Sequence, residues 1–64
     1  MKTFREKVAV ITGAGSGIGR YLAILLAKDG ADICVCDINE EGLNETVTML
    51  RKYNVSVSSH LLDA

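Results

Sequence analysis

The stretch ITGAGSGIGR, from Ile11 to Arg20, carries four glycines in seven positions between two apolar segments. The segment before it, KVAVIT (residues 7–12), is short and rich in β-branched side chains, as in strands that are buried on both faces. Apolar residues then recur at helical spacing, at Ile18, Leu22, Leu25 and Leu26. Because glycine is unfavourable inside both helices and strands, the stretch predicts a tight turn from a buried strand into a helix.

The rest of the chain repeats this alternation. ADICVCD (residues 31–37) predicts a second short strand, and VSVSSHLL (residues 55–62) a third, less apolar one. Between them, Asn39 is a plausible N-cap, and Glu40 and Glu41 follow in the first turn, where the helix dipole favours negative charge. The order strand, helix, strand, helix, strand predicts an α/β fold with a parallel sheet and right-handed crossovers.

Length and composition restrict the function classes. The chain has 64 residues, enough for one domain at most, and a net charge of −1 without the basic face that nucleic acid requires. The longest apolar run, residues 21–27, is far shorter than the ~20 residues that span a bilayer. Cys34 and Cys36 are predicted to be small buried side chains, and His60 is the one further candidate metal ligand, so no metal site is expected. We expect a cytoplasmic protein.

The glycine spacing selects one nucleotide-binding motif. G-x-x-x-x-G-K-[ST] is absent, and G-x-G-x-x-G fails because its third glycine would fall on Ile18 or Arg20. T-G-x-x-x-G-I-G fits from Thr12 to Gly19. A helix N-terminus has unpaired N–H groups and a partial positive charge, which attract a pyrophosphate. The turn therefore predicts a phosphate-binding loop.

Each small residue of this loop has an expected role. Gly13 permits the sharp exit from the strand, Gly17 lets the backbone approach a cofactor, and Gly19 lets the helix pack closely on the sheet. Ser16 can offer its hydroxyl to a phosphate or ribose oxygen. Arg20, which follows the loop, is expected to be a surface residue.

The motif and its surroundings resemble the short-chain dehydrogenase/reductase family. The resemblance rests on KVAVITGAGSGIGR, GADICVCDIN and LLDA, and it covers nearly all 64 residues. It implies that residues 1–64 are the N-terminal part of an NAD(P)-binding Rossmann domain, with strand order 3-2-1, truncated from a larger doubly wound sheet. It also implies a set of cofactor-binding residues: Gly13, Gly15, Ser16, Gly17, Ile18, Gly19, Asp37, Ile38 and Asp63.

The acidic residue after the second strand indicates which dinucleotide binds. Asp37 lies 18 positions after Gly19, close to the ~20 at which an acid accepts hydrogen bonds from the adenosine ribose. Its carboxylate would repel a 2′-phosphate, and neither Ser16 nor Ile38 supplies the basic residue typical of NADP-using relatives. We therefore expect NAD rather than NADP. By its position after the third strand, Asp63 is expected to bind the adenine amino group, as the resemblance implies.

The family's catalytic residues are missing from this sequence. Its tyrosine with a lysine four positions on has no counterpart, because Leu25 follows Tyr21 and Val57 follows Tyr53 at that spacing. The 64 residues alone are expected to be inactive and, because an open apolar strand edge invites self-association, to be poorly soluble, dimeric or partly unfolded. A longer form is expected to be a homo-oligomer that interconverts an alcohol and a ketone. A non-catalytic dinucleotide-binding or interaction module remains the alternative.

Overall fold

The computed structural model describes residues 8–62 of the chain, so Lys7 and Asp63 lie outside the described residues. Two helices alternate with three strands, as the sequence predicts, and the strands are slightly shorter than expected. In chain order the elements are β1 (Val8–Thr12), α1 (Gly17–Lys28), β2 (Asp32–Asp37), α2 (Glu40–Leu50) and β3 (Val57–Leu61).

The three strands form one parallel sheet with β2 in the middle, in the order β1-β2-β3. The expected order 3-2-1 lists the strands from the opposite edge of the sheet and has the same strand in the middle. Val10 is in register with Cys34, and Cys34 with Ser58. The carboxyl ends of the strands therefore lie at one edge of the sheet, where ligands bind in open α/β sheets.

Both helices cover the same face of the sheet, since two right-handed crossovers that advance in one direction place their helices on one side. On the covered face, Ile11, Ile33 and Val35 are at most 6% exposed. On the opposite face, Val8 and Val10 are 65% and 68% exposed. The prediction that β1 is buried on both faces is therefore wrong for the described residues, because no second helical layer covers its outer face.

Helix α1 packs on the sheet mainly through alanines, with Ile24 and Leu26 partly buried against the core beside them. Ala23 and Ala27 are buried, whereas Ile18, Leu22 and Leu25 are 86%, 44% and 40% exposed. Small side chains let a helix axis approach a sheet closely, and of the four apolar residues whose spacing predicted the helix only Leu26 packs against the core. Helix α2 contributes Leu43, Thr46 and Leu50 to the core.

The cysteines are free thiols on the face that the helices do not cover. Cys36 is buried, as predicted, but Cys34 is only partly buried. Burial is the largest cause that raises the pKa of the Cys36 thiol, and the neighbouring Cys34 raises it further. Among residues 8–62, no cluster of three or more His, Cys, Asp or Glu side chains could hold a metal ion. Nor does that part of the chain contain a helix with the length and apolarity that a membrane crossing demands.

Candidate functional site

The turn between β1 and α1 depends on two glycines in the left-handed region. Gly13 has φ +67° and Gly17 has φ +61°, a conformation that costs other L-residues roughly 1–2 kcal/mol. A Cβ atom at either position would meet no other atom within 4 Å. Glycine is thus required at both positions by backbone conformation, and the space beside each of them is open.

A third glycine, Gly19, is required by a close backbone approach. A Cβ atom there would collide with the carbonyl oxygen of Gly13 and lie 2.8 Å from its carbonyl carbon. We expected Gly19 to permit close packing on the sheet. In the structure the first turn of α1 lies close to the backbone that leaves β1, at Gly13 and Ala14.

The two helix N-termini at this edge of the sheet differ in how they are capped. In α2, the Asn39 side chain accepts a hydrogen bond from the Gly42 N–H at 3.2 Å, and Glu40 and Glu41 lie in the first turn. In α1, the N-cap residue is Ser16, whose side chain makes no capping hydrogen bond, and the first turn carries no acidic residue. The positive end of α1 is therefore neither capped by the Ser16 side chain nor neutralised by an acidic residue in the first turn.

Asp37, at the end of β2, directly contacts the glycine loop, which comprises residues 13–17 between β1 and the start of α1. Its Oδ2 accepts a hydrogen bond from the Gly15 N–H at 2.6 Å, and its Oδ1 accepts one from the Asn39 N–H at 3.0 Å. The N–H of Asn39, followed by that of Gly15, lowers the pKa of the Asp37 carboxyl below its ordinary value of 3.8. The group is therefore an anion at neutral pH, beside the loop that we expect to bind phosphate.

Arg20 and Thr46 were missed as site residues, and the expectation that Arg20 is a surface residue is wrong. The Arg20 side chain is 21% exposed and donates to Thr46 Oγ1 at 2.9 Å, to the Gly15 carbonyl at 2.5 Å and to the Gly42 carbonyl at 3.1 Å. It also pairs with Glu45 at 3.2 Å. The guanidinium thus joins the glycine loop to the first turns of α2.

The sequence carries a signal for this contact. Thr46 lies three residues after Leu43 and four before Leu50, on the apolar face of α2, where a polar side chain must find a partner. It is fully buried, and its hydroxyl donates to the carbonyl of Ala14 at 2.6 Å. Gly42 is also needed, because a Cβ atom there would lie 2.5 Å from the Gly15 carbonyl oxygen.

The structure brings most of the predicted site together at the carboxyl edge of the sheet. The residues placed there are Gly13, Gly15, Ser16, Gly17, Gly19 and Asp37. Ile38 follows Asp37 and is 62% exposed, and Ile18 lies in the first turn of α1 with 86% of its surface exposed. The arrangement places the uncapped N-terminus of α1 next to a carboxylate that can accept hydrogen bonds.

Comparison with known proteins identifies oxidoreductases among the relatives of this chain. The family model described as short chain dehydrogenase matches residues 7–64. A cyclohexanol dehydrogenase of Acinetobacter sp. is 54% identical over 44 residues, which are 69% of this chain. The chain also superposes on an NAD+-bound xylitol dehydrogenase with a TM-score of 0.92 and 37% identity over 97% of its length. Superposition on a short chain dehydrogenase/reductase from Burkholderia phymatum in complex with NAD gives a TM-score of 0.88 and 43% identity over 98% of this chain.

These matches cover a small share of the other proteins. The chain spans 18% of the cyclohexanol dehydrogenase, 24% of the xylitol dehydrogenase and 22% of the Burkholderia protein. The similarity is therefore confined to the part of each relative that corresponds to the strands, the helices and the glycine loop described above.

Proposed function

This chain belongs to the short-chain dehydrogenase/reductase family, and from that premise we propose that its residues 1–64 form the NAD-binding N-terminal part of an oxidoreductase. The observation that carries the proposal is the hydrogen bond from the Gly15 N–H to the Asp37 carboxylate at 2.6 Å. It joins a loop suited to phosphate and a side chain suited to ribose in a single site.

The pyrophosphate of the dinucleotide is assigned to the N-terminus of α1. Three features support this position: the uncapped first turn, the unused Ser16 hydroxyl, and the open space at Gly17. Backbone N–H groups of the first turn can donate to phosphate oxygens, and the helix dipole favours their charge. A side chain at residue 17 would occupy the space that the phosphates need.

The adenosine is assigned to Asp37 and its neighbours. A carboxylate has about four lone-pair sites, and the N–H groups of Gly15 and Asn39 use two of them. Those that remain can accept hydrogen bonds from the two ribose hydroxyls of NAD, whereas the 2′-phosphate of NADP would meet a negative charge. The exposed Ile38 can pack against the nucleoside, and Asp63 is proposed to bind the adenine amino group.

The proposed reaction is hydride transfer from an alcohol to NAD+ with release of the hydroxyl proton, or from NADH to a ketone with uptake of a proton; the nicotinamide ring would supply the hydride acceptor or donor. We assign the catalytic groups to residues outside these 64, because no Tyr-x-x-x-Lys pattern occurs in them. The oxidoreductase relatives favour this function over a non-catalytic module. The proposal includes a homo-oligomer and, in keeping with the two free thiols, a cytoplasmic location.

The test is a binding titration of the full-length polypeptide, meaning the complete gene product that carries these 64 residues. We expect NAD to bind more tightly than NADP. Asp37→Ala should weaken NAD binding by roughly tenfold or more, the equivalent of one hydrogen bond to a charged group. It should also reduce the difference in affinity between NAD and NADP. Asp32→Ala is the matched control, because Asp32 lies at the other end of β2 and accepts from the Ser56 N–H at 2.9 Å. Equal affinity of the unaltered protein for NAD and NADP would refute the proposed preference.

A further inference from the structure

Two consecutive residues of the glycine loop are anchored through both of their backbone polar groups. The Ala14 N–H donates to the Cys36 carbonyl at 3.1 Å, and the Ala14 carbonyl accepts from Thr46 Oγ1 at 2.6 Å. The Gly15 N–H donates to Asp37 at 2.6 Å, and the Gly15 carbonyl accepts from Arg20 at 2.5 Å. The N–H groups are thus held by β2, and the carbonyl groups by Arg20 and Thr46.

Arg20 and Thr46 also hold each other. Arg20 Nε donates to Thr46 Oγ1 at 2.9 Å, and a second guanidinium nitrogen reaches both Gly15 and Gly42. The planar guanidinium presents several donors in a fixed geometry, which a lysine ammonium cannot reproduce. Thr46 is fully buried and Arg20 is 21% exposed, so these hydrogen bonds are largely shielded from water. The ion pair with Glu45, which is 57% exposed, adds little.

The remainder of the loop is left open. Ser16 and Gly17 are exposed, and a Cβ atom at Gly17 would meet nothing within 4 Å. The loop thus has a fixed half, residues 14 and 15, followed by an open half at the start of α1. A fixed half determines where the open N–H groups point before any ligand arrives.

We propose that Arg20 and Thr46 are positioning residues, which hold the glycine loop in its dinucleotide-binding conformation without touching the cofactor. This inference rests on the proposed NAD-binding function and adds a second layer of residues to it. A loop that holds the binding geometry only about a tenth of the time binds its ligand about tenfold more weakly. Loss of either side chain should therefore weaken the binding of ligands that carry the pyrophosphate and leave the binding of ligands without it unchanged.

The experiment compares variants of the full-length polypeptide by titration with NAD and with adenosine. Arg20→Met and Thr46→Val should each weaken NAD binding about tenfold and change adenosine binding by less than about twofold. Thr46→Ser, which keeps the hydroxyl, should bind NAD normally. Arg20→Lys, which keeps only the charge, should resemble Arg20→Met. Arg51→Met is the matched control, because it removes the same side chain from an exposed position at the end of α2.

A second measurement separates positioning from general stability and needs no cofactor. Hydrogen exchange of the Gly15 amide should become at least about fivefold faster in Arg20→Met, because a loop that opens more often exchanges faster. The Ile33 amide, which donates to the Ser56 carbonyl at 2.9 Å, should be unchanged. Faster exchange at both amides would show general destabilisation and overturn the proposal.

The possible outcomes are distinct. Normal NAD affinity in Arg20→Lys together with normal affinity in Thr46→Val would mean that Arg20 acts only through its charge, and would overturn the positioning role. Normal affinity and normal Gly15 exchange in Arg20→Met would overturn it as well. Failure of the unaltered protein to bind NAD would instead refute the proposed function, and the exchange measurement would still decide whether Arg20 fixes the loop.

Discussion

Replacing Gly17 with alanine adds one methyl group at the start of α1, where the structure leaves the space empty. Gly17 has φ +61°, and no other atom lies within 4 Å of the added Cβ. The cost to the folded state is therefore conformational rather than steric, roughly 1–2 kcal/mol for an L-residue in the left-handed region. The methyl group would occupy the proposed pyrophosphate position, so binding should suffer separately from stability.

Gly30→Ala supplies the matched comparison. Gly30 has φ +93° and follows the other end of α1, about 18 Å away along a helix of 12 residues. Alanine there should also be strained by its positive φ, but it cannot contact a ligand at the helix N-terminus. Displacing the phosphates by one methyl group costs at least one hydrogen bond to a charged group, which corresponds to roughly 10- to 100-fold in affinity.

Both effects can be measured on the full-length polypeptide. Thermal or urea unfolding should show that Gly17→Ala and Gly30→Ala are both destabilised, each by about 1–2 kcal/mol. Isothermal titration with NAD, at a temperature where both variants are folded, should show the large loss of affinity only for Gly17→Ala. If the two variants lose affinity equally, or neither loses any, the pyrophosphate does not lie at the N-terminus of α1.

Three further predictions follow from burial and charge. The pKa of Asp37 is lowered below 3.8 on folding. Its hydrogen bond to the Gly15 N–H should therefore persist above pH 3.8 and be lost as the pH falls through the folded pKa. The Gly15 amide chemical shift should follow this change with pH, and in Asp37→Asn it should show no such titration. Leu50→Ala should cost about 2–5 kcal/mol in unfolding free energy because Leu50 is fully buried, whereas Met49→Ala, at a 41% exposed position, should cost about 0.5 kcal/mol or less. The 64-residue chain by itself should self-associate through its β1 edge. In analytical ultracentrifugation, Val10→Lys should shift the chain toward the monomer. A monodisperse monomer of the unaltered chain would contradict this prediction.

The alternation of strands and helices could be predicted because each element has its own local pattern. The β-branched run before the glycines and the Asn39 cap with its acidic first turn each determine one element. The apolar spacing of α1 did not identify its buried face, because Leu26 packs against the core whereas Leu22 and Leu25 are exposed and the alanines are buried instead. Which faces are buried depends on which elements cover them, and that is a property of the whole assembly.

The candidate site shows the same division. The positions of the glycine loop and of Asp37 could be predicted because they follow from backbone conformation and from the end of a strand. Arg20 escaped prediction because its partners lie up to 26 residues away, at Thr46, and a one-dimensional pattern does not show that α2 returns to the loop. The polar Thr46 on an apolar helix face was the one available signal.

The hydrogen bond between Gly15 and Asp37 constrains any redesign of the proposed preference for NAD over NADP. Exchanging Asp37 for a neutral or basic residue, to admit a 2′-phosphate, also takes the acceptor away from the N–H groups of Gly15 and Asn39. An asparagine could replace only one of the two acceptor oxygens. In the proposed site, the same carboxylate selects between NAD and NADP and accepts the loop's hydrogen bonds. A variant designed to accept NADP therefore needs a compensating acceptor for these N–H groups as well as a new cation.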